Sequence, residues 1–217
     1  MIKLDERLLA CSEYVREGSR LVDVGTDHAY LPIYLIKSGK ISKAIASDIN
    51  EGPLESARSN IRKYGLEGKI ESVLSDGLSN ISKEDVDDIV IAGMGGELIC
   101  KIIEEASWLK DDSKRLIIQP MSMEEVLIKY LIENKFKIEH EKAVICNNKS
   151  YIIINAAFKE EFKFKQDELY PYIGELKNDA ASKRYIEKQI RKLENKSKGF
   201  RDGRFNDIIN KLKDTIY

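Results

Sequence analysis

A doubly wound α/β fold with an antiparallel edge is predicted by three features of this 217-residue sequence. First, the apolar runs VDV (22–24), AIA (44–46), IVIA (89–92) and LIIQ (116–119) are short and nearly continuous, as in strands buried on both faces of a parallel sheet. Second, segments of helical periodicity lie between them, which gives the βα alternation of a sheet covered by helices. Third, the series ends in a long stretch of strand character interrupted at Asn147-Asn148, a turn pair that makes an antiparallel hairpin.

Each element follows in order. An amphipathic stretch near 4–16 precedes the strand RLVDVG. LPIYLIKSG reads as helix and KAIASDI as strand. GPLESARSNIRKYG is a helix with Pro53 in its first turn and Gly65 just past its end, the expected asymmetry of helix termini. KIESVLSDG and DDIVIAGMGG read as strands, ELICKIIEEASWL as helix, KRLIIQP as strand and MEEVLIKYLIEN as helix, and residues 136–158 form the hairpin. In the tail, Ile186, Ile190, Leu193 and Phe200, and then Phe205, Ile208, Ile209, Leu212 and Ile216, recur at helical spacing around the glycine-marked KGFRDGRF. Two antiparallel helices zipped along one stripe are expected there. Lys183, Arg184, Lys188, Arg191, Lys192, Lys196, Lys198, Arg201 and Arg204 are then expected to face outward.

Composition narrows the function. Hydrophobic residues make up 42% and charged residues 34% of the chain, and no apolar run is long enough to span a bilayer. The N-terminal segment has acids and no apolar core, so it does not read as a secretory signal. Cys11, Cys100 and Cys146 are odd in number and widely spaced, which suits buried thiols in a reducing cytoplasm. Two histidines, with no CxxC or HxxxH, argue against a protein-held metal. The net charge of −1 conceals an asymmetry: residues 163–217 carry 14 Lys/Arg against 9 Asp/Glu, and the rest carries 22 against 28. A tail that meets a polyanion and a merely solvated helical surface both fit this pattern. Nothing in the sequence calls for an oligomer.

In such sheets ligands bind beyond the carboxyl ends of the strands. Gly25-Thr26-Asp27-His28 follows the first strand. Of a G-x-G-x-x-G fingerprint only Gly25 is present, and a pyrophosphate would face Asp23 and Asp27. Two unit charges at about 4 Å repel by roughly 1–4 kcal/mol at the dielectrics relevant here. The acids therefore disfavour NAD, FAD or ATP and suit S-adenosylmethionine, which carries a sulfonium and an ammonium and no phosphate. Asp27 also reads as a cap for the next helix. Asp48, at the second strand end, suits ribose hydroxyls or a helix cap. Ser75-Asp76-Gly77 suits an adenine amine or an ordinary turn. Gly93-Met94-Gly95-Gly96 leaves backbone open to a ligand or makes a tight strand-to-helix turn. Gln119-Pro120 closes the rim.

DVGTDHAYLPIYL, ASDIN, SDGL, IAGMGGELI and LIIQP, with the leading LDERLLA, together resemble the bacterial tRNA adenine-22 N1-methyltransferases over nearly the whole chain. The resemblance implies a class I S-adenosylmethionine-dependent methyltransferase. Such enzymes have a Rossmann-like seven-stranded domain (here 1–160) and a C-terminal coiled-coil appendage that binds tRNA (161–217). It implies cofactor contacts from Arg7, Asp23, Gly25, Thr26, Asp27, His28, Asp48, Ile49, Asp76, Gly77 and Gly93. It places Gly93, Met94, Gly95, Gly96, Gln119 and Tyr30 near the transferring methyl and the target base. For Arg7 an ordinary surface arginine is an equal reading. For Tyr30 a core aromatic at a helix start is the favoured one. His140 reads as a structural residue on an edge strand.

The chemistry implied needs no base. Adenine N1 is unprotonated at neutral pH and attacks a sulfonium methyl directly, so alignment and a preorganised polar pocket do most of the catalysis. N1 lies on the pairing edge, so the adenine has to leave its stack. Amides and carbonyls at 93–96 and at Gln119 are expected to hold it. Two rivals are a methyltransferase of a small molecule or protein and a non-catalytic RNA- or partner-binding module of the same fold. The basic tail disfavours the first, and absence of turnover on tRNA would favour the second.

Overall fold

The computed structural model describes residues 2–164, 167–198 and 205–215. Seven strands form one sheet: β1 (Leu21–Val24), β2 (Ala44–Asp48), β3 (Ile70–Leu74), β4 (Asp88–Gly95), β5 (Arg115–Ser122), β6 (Phe136–Cys146) and β7 (Lys149–Phe158). Their spatial order is β3-β2-β1-β4-β5-β7-β6. β1 to β5 run parallel, and β7 is antiparallel to both β5 and β6. The Rossmann-like α/β sheet with an antiparallel edge hairpin is thus the observed fold. Asn147 and Asn148 turn the hairpin with φ of 47° and 63°. Two left-handed residues match the twist of the flanking strands, and asparagine tolerates that region better than other side chains.

The helices are α1 (Glu6–Tyr14), α2 (Tyr30–Lys37), α3 (Glu51–Lys63), α4 (Gly96–Glu105), α5 (Glu124–Glu133), α6 (Tyr170–Ile173), α7 (Ala180–Ser197) and α8 (Asn206–Asp214). α4 is shorter than its sequence suggests: a single 3-10 turn, Ser107–Leu109, replaces the last part of the expected helix. One core lies on the α4–α5 face, around Ile89, Ile91, Leu116, Ile118 and Leu127. The other lies on the α1–α2–α3 face, around Leu21, Leu31, Ile33, Val90 and Ile117. Alternate residues of one strand serve opposite faces: Ile89 and Ile91 one, Val90 the other. That explains why IVIA carries no polar position.

The tail forms its own small cluster of Tyr172, Ile190, Leu193, Ile209 and Leu212, with Ile186, Phe205 and Ile208 partly buried against it. This is the expected stripe, while Phe200, Arg201, Arg204 and Ile216 lie outside the described residues. α7 is also tied to the body. Tyr185 is wholly buried in the core on the α4–α5 face. Three of the cations expected to face outward turn the other way. Lys188 donates to Glu124 Oε1 at 2.8 Å, Lys192 pairs with the second oxygen of Glu124, and Lys196 reaches Glu125 Oε1 at 2.5 Å. Arg184 donates to the carbonyl and side-chain oxygens of Asn148 at 2.6 and 2.7 Å. Residues 188, 192 and 196 repeat every four positions and so share one helix face. The two glutamates at the start of α5 are buried and recruit that face.

Candidate active site

The strand order reverses between β1 and β4, which makes the crevice at their carboxyl ends the place where this topology binds ligands. A cleft of about 440 Å³ opens there. It brings together Arg7, Asp23, Gly25, Thr26, Asp27, His28, Tyr30 and Gly93, eight residues singled out in the sequence. Asp5, Leu8, Leu31, Ala92 and Met121 complete the lining. Asp5 carried a readable signal: an Asp directly before ERLL is a helix cap, and its Oδ1 accepts from Leu8 N at 2.9 Å.

The first crossover loop is fixed from below. Gly25 N and Thr26 N both donate to Ser47 O, at 2.8 and 2.9 Å, so the β1 loop is stapled to β2. Thr26 Oγ1 donates to Asp23 Oδ2 at 2.7 Å and accepts from Ala29 N at 3.1 Å. The hydroxyl therefore does the local bonding that the sequence offered to Asp27. Asp27 does not cap α2, whose cap position is Ala29 in the left-handed region. Its carboxylate is exposed and 3.1 Å from His28 Nε2. His28 stacks on Tyr30, with ring centres 5.0 Å apart and planes inclined by 24°. Tyr30 is 40% exposed, so the core-aromatic reading is wrong. α2 buries Leu31, Pro32, Ile33, Leu35 and Ile36 and leaves Tyr30 on the cleft side.

Asp23 is buried, at 7% exposure, beside the open cleft. Burial pushes its carboxyl up to about 6; the Thr26 hydrogen bond opposes the rise and the neighbouring Asp48 adds to it. A buried carboxylate with a second acid nearby favours a cation or a neutral donor over an anion. Asp48, half-buried at the end of β2, accepts from Asn50 N at 2.7 Å. It orders the turn into α3, whose cap position is Asn50. Ile49 beside it is 58% exposed. Asp76 is exposed after β3, next to Gly77 with φ of 54°. Because β3, β2 and β1 are neighbours, Asp76, Asp48 and Asp23 step along one rim with increasing burial.

GMGG is not a free loop. β4 continues through Gly95 against β5, with irregular register at Ala92/Met94 and Met94/Gly95. The two irregularities leave Gly93 exposed in the left-handed region, φ 82°, with open space where a side chain would stand. Met94 turns under the crossover loop, and a β-carbon on Gly25 would collide with its Cε. Gly96 is equally constrained, because a β-carbon there would strike the Met123 carbonyl. Gln119 is wholly buried and does not line the cleft. Its Nε2 donates to Pro120 O at 2.7 Å and its Oε1 accepts from Arg7 Nη1 at 3.1 Å. Both ends of the amide are committed, so Gln119 positions Arg7. Arg7 also pairs with Asp5 at 2.6 Å and lies 5.5 Å from the Tyr151 ring centre. It is a fastened part of the cleft wall.

The site's donor set suits a cationic nucleoside: acids at three successive strand ends, an open backbone at Gly93 and two stackable rings. Among the described residues no three His, Cys, Asp or Glu side chains converge as metal ligands, and no helix is long and apolar enough to cross a membrane.

Comparison with known proteins agrees with this geometry. The methyltransferase-domain family matches residues 4–154. A curated relative, the tRNA (adenine(22)-N(1))-methyltransferase of Bacillus subtilis, is 37% identical over 155 residues, which is 71% of this chain. The match spans about 65% of that relative's length. A Streptococcus pneumoniae protein solved with S-adenosyl-L-methionine superposes with a TM-score of 0.89 at 32% identity, covering 99% of this chain and 100% of the other. TrmK of M. capricolum, solved with S-adenosyl-homocysteine, gives 0.82 at 28% identity, covering 98% and 97%. The resemblance drawn from DVGTDHAYLP and GMGG therefore extends to the three-dimensional structure. With a family match over residues 4–154 and a relative over 30% identical along its full length, the chain belongs to the methyltransferase-domain family.

Proposed function

We propose that this protein transfers a methyl group from S-adenosylmethionine to N1 of adenine 22 in tRNA. The observation that carries the cofactor assignment is the buried Asp23 carboxylate in a cleft at the β1/β4 switch point. The curated relative's activity supports the substrate, and the relatives solved with S-adenosyl-L-methionine and S-adenosyl-homocysteine support the cofactor. S-adenosylmethionine supplies an electrophilic methyl on a sulfonium. Asp23, held by Thr26, offers a negative charge to the ammonium end. Asp48 and Asp76 offer acceptors to ribose hydroxyls and the adenine amine, with Gly25, Thr26, Ile49 and Gly77 shaping the rim. Arg7, Asp27 and His28 close the wall. Gly93 presents bare backbone to the incoming base and Tyr30 a ring on which it stacks. Met94 and Gln119 act from behind, as positioning residues.

Residues 1–160 form the methyl-transferring unit and 161–217 the appendage that meets tRNA, in the cytoplasm. With three lysines committed to Glu124 and Glu125, the exposed Lys183, Arg191, Lys198 and Lys149 are cations available to phosphate. Methyl transfer to unmodified tRNA transcripts carrying A or G at position 22, followed by nucleoside analysis, tests the reading. N1-methyladenosine should form with A22 and not with G22; equal incorporation into both, or none, overturns it.

A further inference from the structure

Two of the exposed cations, Lys149 and Arg191, converge on one place. A notch of about 350 Å³ lies between the hairpin turn and α7. Lys149, Arg184, Lys188 and Arg191 line it, and no acid does. Residues 184, 188 and 191 stand at i, i+4 and i+7, so they form one stripe of α7.

The notch is fastened across its two walls. Arg184 Nη2 donates to the carbonyl and side-chain oxygens of Asn148 at 2.6 and 2.7 Å. Lys188 Nζ donates to Ser150 O at 3.0 Å, and Ser150 Oγ donates to Arg184 O at 3.3 Å. Glu124 answers the charge of Lys188. Among the described residues, Lys149, Arg184 and Arg191 have no carboxylate within ion-pair distance. Three unanswered positive charges around one small volume repel each other, and an anion between them relieves this. The fork of an arginine and the point charge of a lysine both suit a phosphate.

The notch adjoins the cleft. Met121, 40% exposed, lines both. Tyr151 links them from behind. Arg7 Cζ on the cleft side and Lys188 Nζ on the notch side each lie 5.5 Å from its ring centre, and so within twice that distance of each other. A strand that places a base in the cleft therefore carries a nearby phosphate to the notch.

We infer that the notch grips a backbone phosphate of the tRNA strand, one or two nucleotides from the adenosine in the cleft, through Lys149, Arg184 and Arg191. The inference rests on the methyl-transfer reading and adds a register to it. The hairpin turn of the body and α7 of the appendage hold one phosphate jointly, and the span from notch to cleft selects which base reaches Gly93.

A tRNA ligated from a synthetic strand tests it, with uncharged methylphosphonates at the two linkages on either side of adenosine 22 and 2′-O-methyl riboses there. The same strand with ordinary phosphates is its control. Binding to the full chain is measured by fluorescence anisotropy over a range of salt. The uncharged linkages should weaken binding by the unmutated chain about tenfold. Lys149→Gln with Arg191→Gln should weaken binding of the charged strand about tenfold and lower the salt slope by about 1–2. The uncharged linkages should then cost this variant less than about threefold, because the partners are already gone. Lys43→Gln with Lys69→Gln removes the same charge from exposed positions at the amino ends of β2 and β3, and should keep the tenfold cost. Affinity for S-adenosylmethionine should be unchanged throughout. Should the double variant at the notch fail to fold, Lys149→Gln alone decides, with at least a threefold coupling expected. If the unmutated chain methylates A22 but the uncharged linkages cost it nothing, or cost the notch variant equally, this inference alone is overturned. If the unmutated chain forms no N1-methyladenosine, the methyl-transfer reading falls and takes the inference with it.

Discussion

Arg7 and Gln119, 112 positions apart, are joined by a hydrogen bond of 3.1 Å from the guanidinium to the amide oxygen. The bond fastens the first turn of α1 to the second half of β5 and fixes one wall of the cleft. Gln119→Leu removes the acceptor while roughly conserving volume. A lost hydrogen bond to a charged group is worth about 1.5 kcal/mol, or roughly tenfold in affinity. Cofactor affinity should fall by about that factor, and Arg7→Ala combined with Gln119→Leu should cost little more than either alone. Calorimetry on the two single variants and the double variant checks this. Additive losses would mean that the residues act independently.

Asp23 gives a pH signature of known sign. Its folded pKa of about 6 lies above the ordinary carboxylate value of 3.8. Folding therefore favours the protonated form. The benefit is complete below about pH 4 and is lost as pH rises through 6. Asp23→Asn should accordingly stabilise the protein at pH 7.5, by at most about 3 kcal/mol, and change little at pH 4. Ligand binding should move oppositely. A cation needs the ionised form, so affinity for S-adenosylmethionine should rise about tenfold per pH unit up to 6 and then level off, and Asp23→Asn should abolish the slope. Thermal melts at the two pH values, with calorimetry from pH 5 to 8, separate the effects.

Glu124 anchors the tail. Burial raises its carboxyl, but the hydrogen bonds and charges of Lys188 and Lys192 outweigh this and leave the pKa lowered. A lowered acid stabilises the fold above its ordinary value of 4.5 and loses that contribution as pH falls below it. Lys188 and Lys192 are partly exposed, which discounts the pair. Glu124→Gln should cost about 1–3 kcal/mol at pH 7, less at pH 4, and should speed amide exchange in α7 selectively. Denaturant unfolding and hydrogen exchange measure this. Uniform exchange changes across the sheet would point to a general defect.

The same pair marks where the sequence ceased to be readable. Strands and helices of the body were legible because they obey local rules: continuous apolar runs for doubly buried strands, Gly65 past the end of α3, two asparagines at the hairpin. Six of the cleft residues, Asp23, Gly25, Thr26, Asp27, His28 and Gly93, were legible from the strand-end rule, while Arg7 and Tyr30 came only with the family resemblance. The inward turn of Lys188, Lys192 and Lys196 was not, because it depends on two glutamates more than sixty residues away that look like ordinary first-turn acids of α5. Gln119 gave no sign of facing inward. DDIVIAGMGG read as a strand, but the slips in its pairing with β5 at Met94 and Gly95 left no mark in the sequence, because three glycines in four residues fit a turn as well as an irregular strand end. α6 was missed because a four-residue helix has too few positions to show a period.

Tyr30 offers the sharpest test of the substrate side of the cleft. Its ring is exposed, is stacked on His28 and stands at the start of a helix whose other face is core. Its removal therefore uncovers no apolar interior, and Tyr30→Ala should leave the melting temperature within a few degrees. A stacked base contributes about 1–3 kcal/mol, so kcat/KM for tRNA should fall roughly 5- to 150-fold. Tyr30→Phe keeps the π-face and loses only the hydroxyl, so it should retain most activity. Affinity for S-adenosylmethionine should change little in either variant. Single-turnover methylation and cofactor titration of both variants distinguish the possibilities: equal losses in Phe and Ala would assign the role to the hydroxyl, and a matching loss of cofactor affinity would move Tyr30 from the base to the cofactor side.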